Sequence, residues 1–510
     1  MGEQVRGESS LRVLYLAAEV FPYAKTGGLA DVAGSLPKAI RALGHDIRIA
    51  MPRYGFIDKE KWNLKPVAEV QVPLGNTVES GTVYETYLGD VPVYMVDNDH
   101  FFNRDGIYAY PDDAERFIFF SRAALELAKA LDWRPHIVHC NDWHTALVPN
   151  WLKTVLKDDP FWKDTRTVFT IHNLAYQGVF GYRVLEVAGL AQYGFIVHPQ
   201  LSHWDHVVHF MGRGIIFADI VTTVSPRYAQ EIMTPEFGAG LDPLLRDRAD
   251  TVVGILNGID TEVWNPATDE FLHKNYDVDH LDARVENKRF LQKEAGFPVD
   301  DNIPLFGFIG RLTEQKGIDL LVETAEKVVR HLDAQLVILG TGEQRWHDLI
   351  VSAAEKHPEH IKAYLTFNNP MAHYIYAGVD MLLMPSRFEP CGLNQMIALH
   401  YGAIPVVREV GGLADTVHDF DPRTGEGNGF SFRPYEADAL YTAMVRAVEN
   451  WKHEETWREL QRRGMTTDFS WNRSAQQYVE VYRRALSMPG GLPERLREKL
   501  ATLPEDTLSF

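Results

Sequence analysis

Short runs of β-branched and aliphatic residues alternate with helical patterns along this chain, and they do so twice, once in each half. That rhythm is what βαβ units impose, because parallel strands must be joined by crossovers long enough to hold a helix. The first half carries such runs at 11–18, 46–51, 91–96, 136–140, 167–171 and 219–224, with helical patterns at 29–43 and 114–131. The second half repeats the theme with strands expected at 304–310, 335–339, 363–367, 380–384 and 404–407. A chain of 510 residues exceeds what one core usually supports, so the sequence predicts two α/β domains built on parallel sheets, at 1–253 and 254–469. The stretch 257–301 lacks the rhythm and reads as a connection. A helical pattern begins after Ser470, a residue suited to an N-cap, and sets Tyr478, Val481 and Tyr482 on one face. This helix, 470–488, is expected to return to the first domain, with 489–510 a peripheral tail.

The formal net charge of -19 weighs against nucleic acid or an anionic membrane as partner, so a phosphate ligand would need a local basic patch. No apolar run approaches a membrane span. Two cysteines, Cys140 and Cys391, offer no disulfide framework and suit a reducing compartment. With no secretory or transit pattern in MGEQVRGESS, a cytoplasmic location is expected.

Ligands of open parallel sheets sit beyond the carboxyl ends of the strands, and the polar punctuation falls there. Lys25, Gly27 and Gly28 follow the first run, Asp142 the fourth, and His172 and Asn173 the fifth. In the second half Arg311 and Lys316, then Gly340 and Gly342, then Glu389, then Gly411 and Gly412 each follow a strand. Two such edges facing each other would form a cleft. KTGGLADV (25–32) places a lysine and a glycine pair before a helix, which makes either an anion site of freed backbone N–H groups or a plain helix-initiating turn. It is neither the dinucleotide fingerprint nor the Walker loop. In GRLTEQKG (310–317), Arg311 and Lys316 can neutralise a departing diphosphate or remain solvated charges. In PSRFEPCGLNQ (385–395), Glu389 can hold sugar hydroxyls or stabilise positive charge on an anomeric carbon, or merely favour a helix start. Cys391 is expected to pack rather than react.

KTGGLADV, HCNDWHTALVP, TIHNLAYQG, TTVSPRYAQEI, NGID, GRLTEQKG, PSRFEPCGLNQ and GGLADTV occur in the order seen in glycogen and starch synthases, and on these motifs the chain resembles that family. The resemblance implies a GT-B fold, two Rossmann-like domains with parallel sheets facing across a deep cleft. It implies glucose transfer from ADP-glucose to the non-reducing end of an α-1,4-glucan, with retention and without a cofactor or metal. No carboxylate is then assigned as a covalent nucleophile. Lys25, Gly27 and Gly28 look like donor-phosphate contacts, with Asp31 nearby, and Arg311 and Lys316 like the pair that stabilises departing ADP. Glu389 resembles the family's essential carboxylate beside the glucosyl group. Asp142, His172 and Asn173 look like the sugar-side wall. Gly340, Gly392, Leu393, Gly411, Gly412 and Leu413 complete the implied donor site.

Two departures from the family pattern bear on the donor. Val410 stands where many bacterial members have threonine, and Phe367 where a tyrosine stacks on adenine, which keeps a π face and removes the phenol. UDP-glucose therefore remains open as donor. A metal site at His203, His206 and His209 is rejected on spacing, and Asp277 and Asp279 are expected to cap or be solvated. A dinucleotide oxidoreductase would need the glycine fingerprint, and a phosphorylase a lysine for pyridoxal phosphate. A non-catalytic glucan-binding protein would have no use for Lys25, Arg311, Lys316 and Glu389 together.

Overall fold

The computed structural model describes residues 9–201 and 203–500, which divide into two compact units. Unit 1 holds the described residues up to Val224, then Ala229–Ile255, then the chain from Trp471 onward; unit 2 holds Ser225–Tyr228 and Leu256–Ser470. Among the described residues no helix is long and apolar enough to cross a membrane.

Unit 1 contains β1 (Arg12–Leu16), β2 (Asp46–Pro52), β3 (Lys65–Leu74), β4 (Thr77–Leu88), β5 (Val91–Asp97), β6 (Ile137–Asn141), β7 (Arg166–Ile171), the short pair β8 (Val179–Phe180) and β9 (Val208–His209), β10 (Ile220–Thr223) and β11 (Val252–Gly254). Nine of these form one sheet in the order β11-β10-β7-β6-β1-β2-β5-β4-β3. The central strands are parallel and largely buried, as in a sheet covered on both faces. The far edge is different. β3 and β4 form an antiparallel hairpin closed by Gly75 and Asn76, which the sequence reading did not anticipate. Along β3 the side chains of Val70, Val72 and Leu74 are buried while Glu69 and Gln71 face solvent, the alternation of a half-covered strand. The helix Gly28–Ala42 buries Leu29, Val32, Leu36 and Ile40 on one face, and the helix Trp471–Ser487 packs on it and on β7.

Unit 2 is a six-stranded sheet of β12 (Leu305–Ile309), β13 (Gln335–Leu339), β14 (Ile361–Tyr364), β15 (Met381–Met384), β16 (Ile404–Arg408) and β17 (Phe430–Phe432), all parallel. Its order, β14-β13-β12-β15-β16-β17, is that of the doubly wound nucleotide-binding sheet. The strand expected at 363–367 ends at Tyr364, which leaves Phe367 in the following turn. The connection at 257–301 includes a 12-residue helix, Arg284–Ala295, that the sequence reading missed. Residues 489–500, read as peripheral, bury Leu492, Leu496 and Leu500, and Lys499 pairs with Asp247 at 2.7 Å; the rest of that tail, 501–510, lies outside the described residues.

Candidate functional site

Among the parallel strands of each of the two large sheets the strand order reverses at a switch point, and crossovers leaving in opposite directions open a crevice there beyond the carboxyl ends. In unit 2 the reversal lies between β12 and β15. The turn after β12 carries Arg311 and Lys316, and the turn after β15 carries Glu389, so topology alone brings these two segments together. The side chains meet. Lys316 Nζ donates to Glu389 Oε1 at 2.9 Å and Oε2 at 2.8 Å, and Ser386 Oγ donates to Oε2 at 2.9 Å. Glu389 is only 4% exposed while Lys316 is partly open to solvent, so the pair is a carboxylate set in the protein with its counter-charge at the rim.

The backbone around this pair is tightly folded. Gly411 has φ +47°, and a Cβ there would lie 1.8 Å from the carbonyl oxygen of Glu389, so no side chain fits. Gly412 N–H donates to that same carbonyl at 3.2 Å, and Leu413 is fully buried behind it. Gly340 approaches the carbonyl oxygen of Gly310 so closely that a Cβ would stand at 1.8 Å, which binds the turn after β13 to the strand end that leads to Arg311. Gly392, at φ +74°, and Leu393 lead into the helix Asn394–His400, whose Asn394 side chain donates to Ile309 O at 2.8 Å. Arg311 is exposed, with Nη2 3.4 Å from Gln315 Oε1. Phe367 is 83% exposed, beside the capping residue Asn368, so its ring face is open to a ligand.

In unit 1 the reversal lies between β1 and β6. Lys25 Nζ bonds both oxygens of Asp31, at 2.7 and 2.9 Å, so this ammonium is oriented by the first turn of the helix that follows. Burial raises the Asp31 carboxyl above its ordinary range, against the pull of Lys25. The turn's amides correct one expectation. Thr26 and Gly27 donate to Glu19 Oε2, the first in a short bond and the second at 3.2 Å, so they are not free for an anion. The Cβ position of Gly28 has no heavy atom of the described residues within 4 Å, so packing does not demand glycine there.

Asp142 follows β6 with φ +57°, an uncommon conformation for a residue with a side chain. Its Oδ1 accepts from the His172 N–H at 2.8 Å, and the Asn173 amide also bonds the carboxylate. Burial nevertheless pushes this carboxyl up to about 7, with the nearby Glu19 charge contributing to the rise. The His172 ring faces Asn141 Oδ1 at 2.8 Å, and Asn141 donates its own Nδ2 to Leu16 O at 2.8 Å. That orientation makes His172 Nε2 the protonated nitrogen and leaves Nδ1 as the ring's acceptor. Burial lowers His172 to about 3, so the ring is neutral. Asn173 Oδ1 accepts from Ala175 N at 3.0 Å and braces the same loop.

Sequence reasoning missed Glu19, Asn141 and Ser386. A glutamate inside the apolar stretch AAEVFPYA was the available signal for the first; the other two are ordinary polar residues whose roles exist only through contacts. The histidine triplet does not converge: His209 is buried, accepts from Gly212 N at 3.1 Å and faces Gln177 at 2.8 Å, while His206 is solvated beside Asp205. Asp277 accepts from Asp279 N at 3.0 Å and pairs with His280 in an exposed turn. Both cysteines are buried and unpaired.

Residues 12–247 match the family model of the starch synthase catalytic domain, and residues 288–463 that of glycosyl transferases group 1. The glycogen synthase of Desulforudis audaxviator is 47% identical over 487 residues, covering 93% of this chain and 97% of that protein. That of Thermotoga maritima is 46% identical over 488 residues, covering 94% and 100%. Among solved structures, the catalytic domain of starch synthase IV from Arabidopsis thaliana bound to ADP and acarbose superposes with a TM-score of 0.88 at 36% identity, covering 94% of this chain and all of that one.

Proposed function

The chain belongs to the glycogen and starch synthase family of glycosyltransferases, and from that premise we propose that it lengthens an α-1,4-glucan with glucose drawn from ADP-glucose, retaining the anomeric configuration. The observation that carries this reading is the Lys316–Glu389 pair at the strand-order reversal of unit 2. A sugar nucleotide presents a diphosphate and a polyhydroxylated ring joined at one carbon. The site offers an ammonium for the first and a carboxylate for the second, adjacent to each other.

Lys316 and Arg311 serve the leaving diphosphate, whose negative charge grows as the glycosidic bond breaks, so their attraction is stronger in the transition state than in the ground state. Glu389 accepts hydrogen bonds from Lys316 and Ser386, a role that fits an orienting acceptor for hydroxyl groups rather than a free nucleophile. The exposed face of Phe367 suits a nucleobase without selecting one, and the ADP held by the solved relative supports ADP as leaving group. In unit 1, Lys25 and the open side of Gly28 are assigned to donor phosphate, and Asp142, His172 and Asn173 to sugar hydroxyls. A neutral His172 with a fixed tautomer offers an acceptor without adding charge. The proposed setting is the cytoplasm, where buried Cys140 and Cys391 remain thiols.

The test is transfer of labelled glucose from ADP-glucose, and in parallel UDP-glucose, onto glycogen by the purified chain without added metal. Incorporation from ADP-glucose is expected. Incorporation from UDP-glucose alone would keep the reaction and overturn the donor, and folded protein that binds glucan without transfer from either would replace an enzyme with a binding protein.

A further inference from the structure

Glu19 stands at the centre of the carboxyl edge of unit 1 and belongs to none of the roles assigned above. It lies three residues beyond the end of β1, in the loop that runs to Lys25, and is only 4% exposed. Three strand-end loops converge on its carboxylate. Its own loop folds back so that Thr26 and Gly27 donate their N–H groups to Oε2. Tyr108, from the segment before the helix Asp113–Ala130, hydrogen-bonds the same carboxyl. Asp142, after β6, is close enough for the Glu19 charge to raise its affinity for a proton.

A carboxylate withdrawn from water is costly unless hydrogen bonds hold it. Here burial raises the Glu19 carboxyl, and the bonds from Thr26, Gly27 and Tyr108 pull the other way. The direction of those bonds matters for ligand binding. They tether the inner side of the Lys25–Gly28 turn, while Lys25 Nζ is oriented separately by Asp31 and the Gly28 side stays open. The position of the ammonium therefore depends on a turn whose backbone is tied down by one side chain.

We infer that Glu19 is a positioning residue for the donor: its carboxylate fixes the Lys25–Gly28 turn through the Thr26 and Gly27 amides, so that Lys25 and Gly28 meet the phosphate without further ordering. This rests on the proposed use of ADP-glucose, and it assigns the turn's two central amides to the protein rather than to the ligand. Preorganisation of this kind is expressed in the affinity for the donor, since a contact misplaced by about 1 Å can cost up to roughly 100-fold.

The test compares Glu19→Gln, Glu19→Asp and Glu19→Ala by donor KM and kcat and by calorimetric binding of ADP. Gln keeps the reach and an acceptor oxygen but no charge, whereas Asp keeps the charge and loses a methylene of reach. Expected is a donor KM raised roughly threefold in Glu19→Gln and roughly tenfold or more in Glu19→Asp and Glu19→Ala, with ADP affinity falling in the same order and kcat changing less than KM. The inference is overturned by values within twofold of the parent in all variants, by tighter ADP binding in Glu19→Ala, or by Asp substituting better than Gln. Should Glu19→Ala not fold, the order of Gln and Asp decides alone. A parent chain that binds ADP but transfers no glucose defeats the proposed reaction and leaves the ADP comparison in force; a parent that binds no ADP defeats both.

Discussion

The ammonium of Lys316 carries three N–H donors, and Glu389 engages it through both carboxylate oxygens, so at least one donor remains for a phosphate oxygen. Glu389 is thus both support and competitor: it holds Lys316 in place while its charge offsets part of the attraction a diphosphate would feel. Glu389→Gln preserves the shape and removes the charge. Turnover should fall at least about 100-fold as the interaction with the reacting sugar is lost, while calorimetry should find ADP bound as tightly as by the parent or more so. A fall in ADP affinity parallel to turnover would show that the charge supports the phosphate site. At Asp142 the prediction concerns pH. The folded chain holds this proton up to about pH 7, against an ordinary aspartate value near ~3.9. The contribution to stability is therefore full below about pH 4 and is lost as pH rises through about 7. Buried His139 and His172, lowered to about 3, act in the opposite sense and weaken the fold as pH falls below ~6.5. The difference between parent and Asp142→Asn isolates the carboxyl: the melting point of the variant should gain on the parent from pH 5 to pH 8, and a constant gap would mean the carboxyl is ionised throughout. Lys316 and Glu389 were legible in the sequence because each follows a strand inside a glycine-marked turn. Glu19 was not, because its importance lies in which amides fold back onto it.

Element by element, the sequence reported what apolar periodicity can report. The strands of both sheet centres read correctly because burial on two faces writes short runs dominated by apolar residues. The helix Arg284–Ala295 escaped because its buried face is polar: Arg284 donates to the carbonyls of Tyr401, Tyr376 and Val379, Lys288 pairs with Asp380 at 2.8 Å, and Gln292 bonds Gln335 at 2.8 Å. No hydrophobic stripe marks such a helix. The β3–β4 hairpin, by contrast, did carry a signal, alternating residues around a Gly-Asn pair, which a search for parallel strands passes over. The connecting stretch before that helix is fixed to unit 2 by a buried triad. Asp269 Oδ2 takes hydrogen bonds from His373 Nδ1 and Tyr401 OH, both at 2.6 Å, and the His373 ring stacks on Trp264 at 4.3 Å. Burial pushes the Asp269 carboxyl up, but the bonds from His373 and Tyr401 prevail and hold it below its ordinary value. Asp269→Asn replaces an acceptor oxygen with a donor facing donors, at a cost of about 3 kcal/mol. Hydrogen exchange should then show residues 257–283 losing protection while β12, β13 and β15 keep theirs, and unchanged protection of 257–283 would deny the triad its anchoring role.

For the chain as a whole, the decisive fact is that unit 1 is completed by a segment that follows unit 2 in the chain. The helix Trp471–Ser487 buries Trp471, Tyr478, Val479, Val481 and Tyr482, and the Tyr482 hydroxyl lies 2.7 Å from His139 Nδ1, beneath the strand that leads to Asp142. His139 Nε2 lies 2.6 Å from Thr170 Oγ1, so the helix is joined to β6 and β7 through one buried ring. The apolar face of this helix was readable from its spacing. Leu492, Leu496 and Leu500 recur at intervals of four, yet prolines and charges around them disguised a second buried stripe. Each fully buried side chain of this size contributes about 1.5–3 kcal/mol, so the segment from Trp471 onward contributes on the order of 10 kcal/mol to unit 1. A whole domain is stable by only about 5–15 kcal/mol. A chain ending at Ser470 should therefore leave unit 1 without a stable fold while unit 2, which ends at Ser470, keeps its own core. Hydrogen exchange read separately on 12–254 and 288–463 distinguishes the outcomes: protection should vanish in the first range and persist in the second. Tyr482→Phe is the graded companion, removing one hydroxyl and leaving His139 Nδ1 unpaired, for a loss of about 1–3 kcal/mol confined to unit 1. Equal loss of protection in both ranges on truncation would mean that the two units fold as one body, and no loss in the first would mean that its sheet is stable without the helix that covers it.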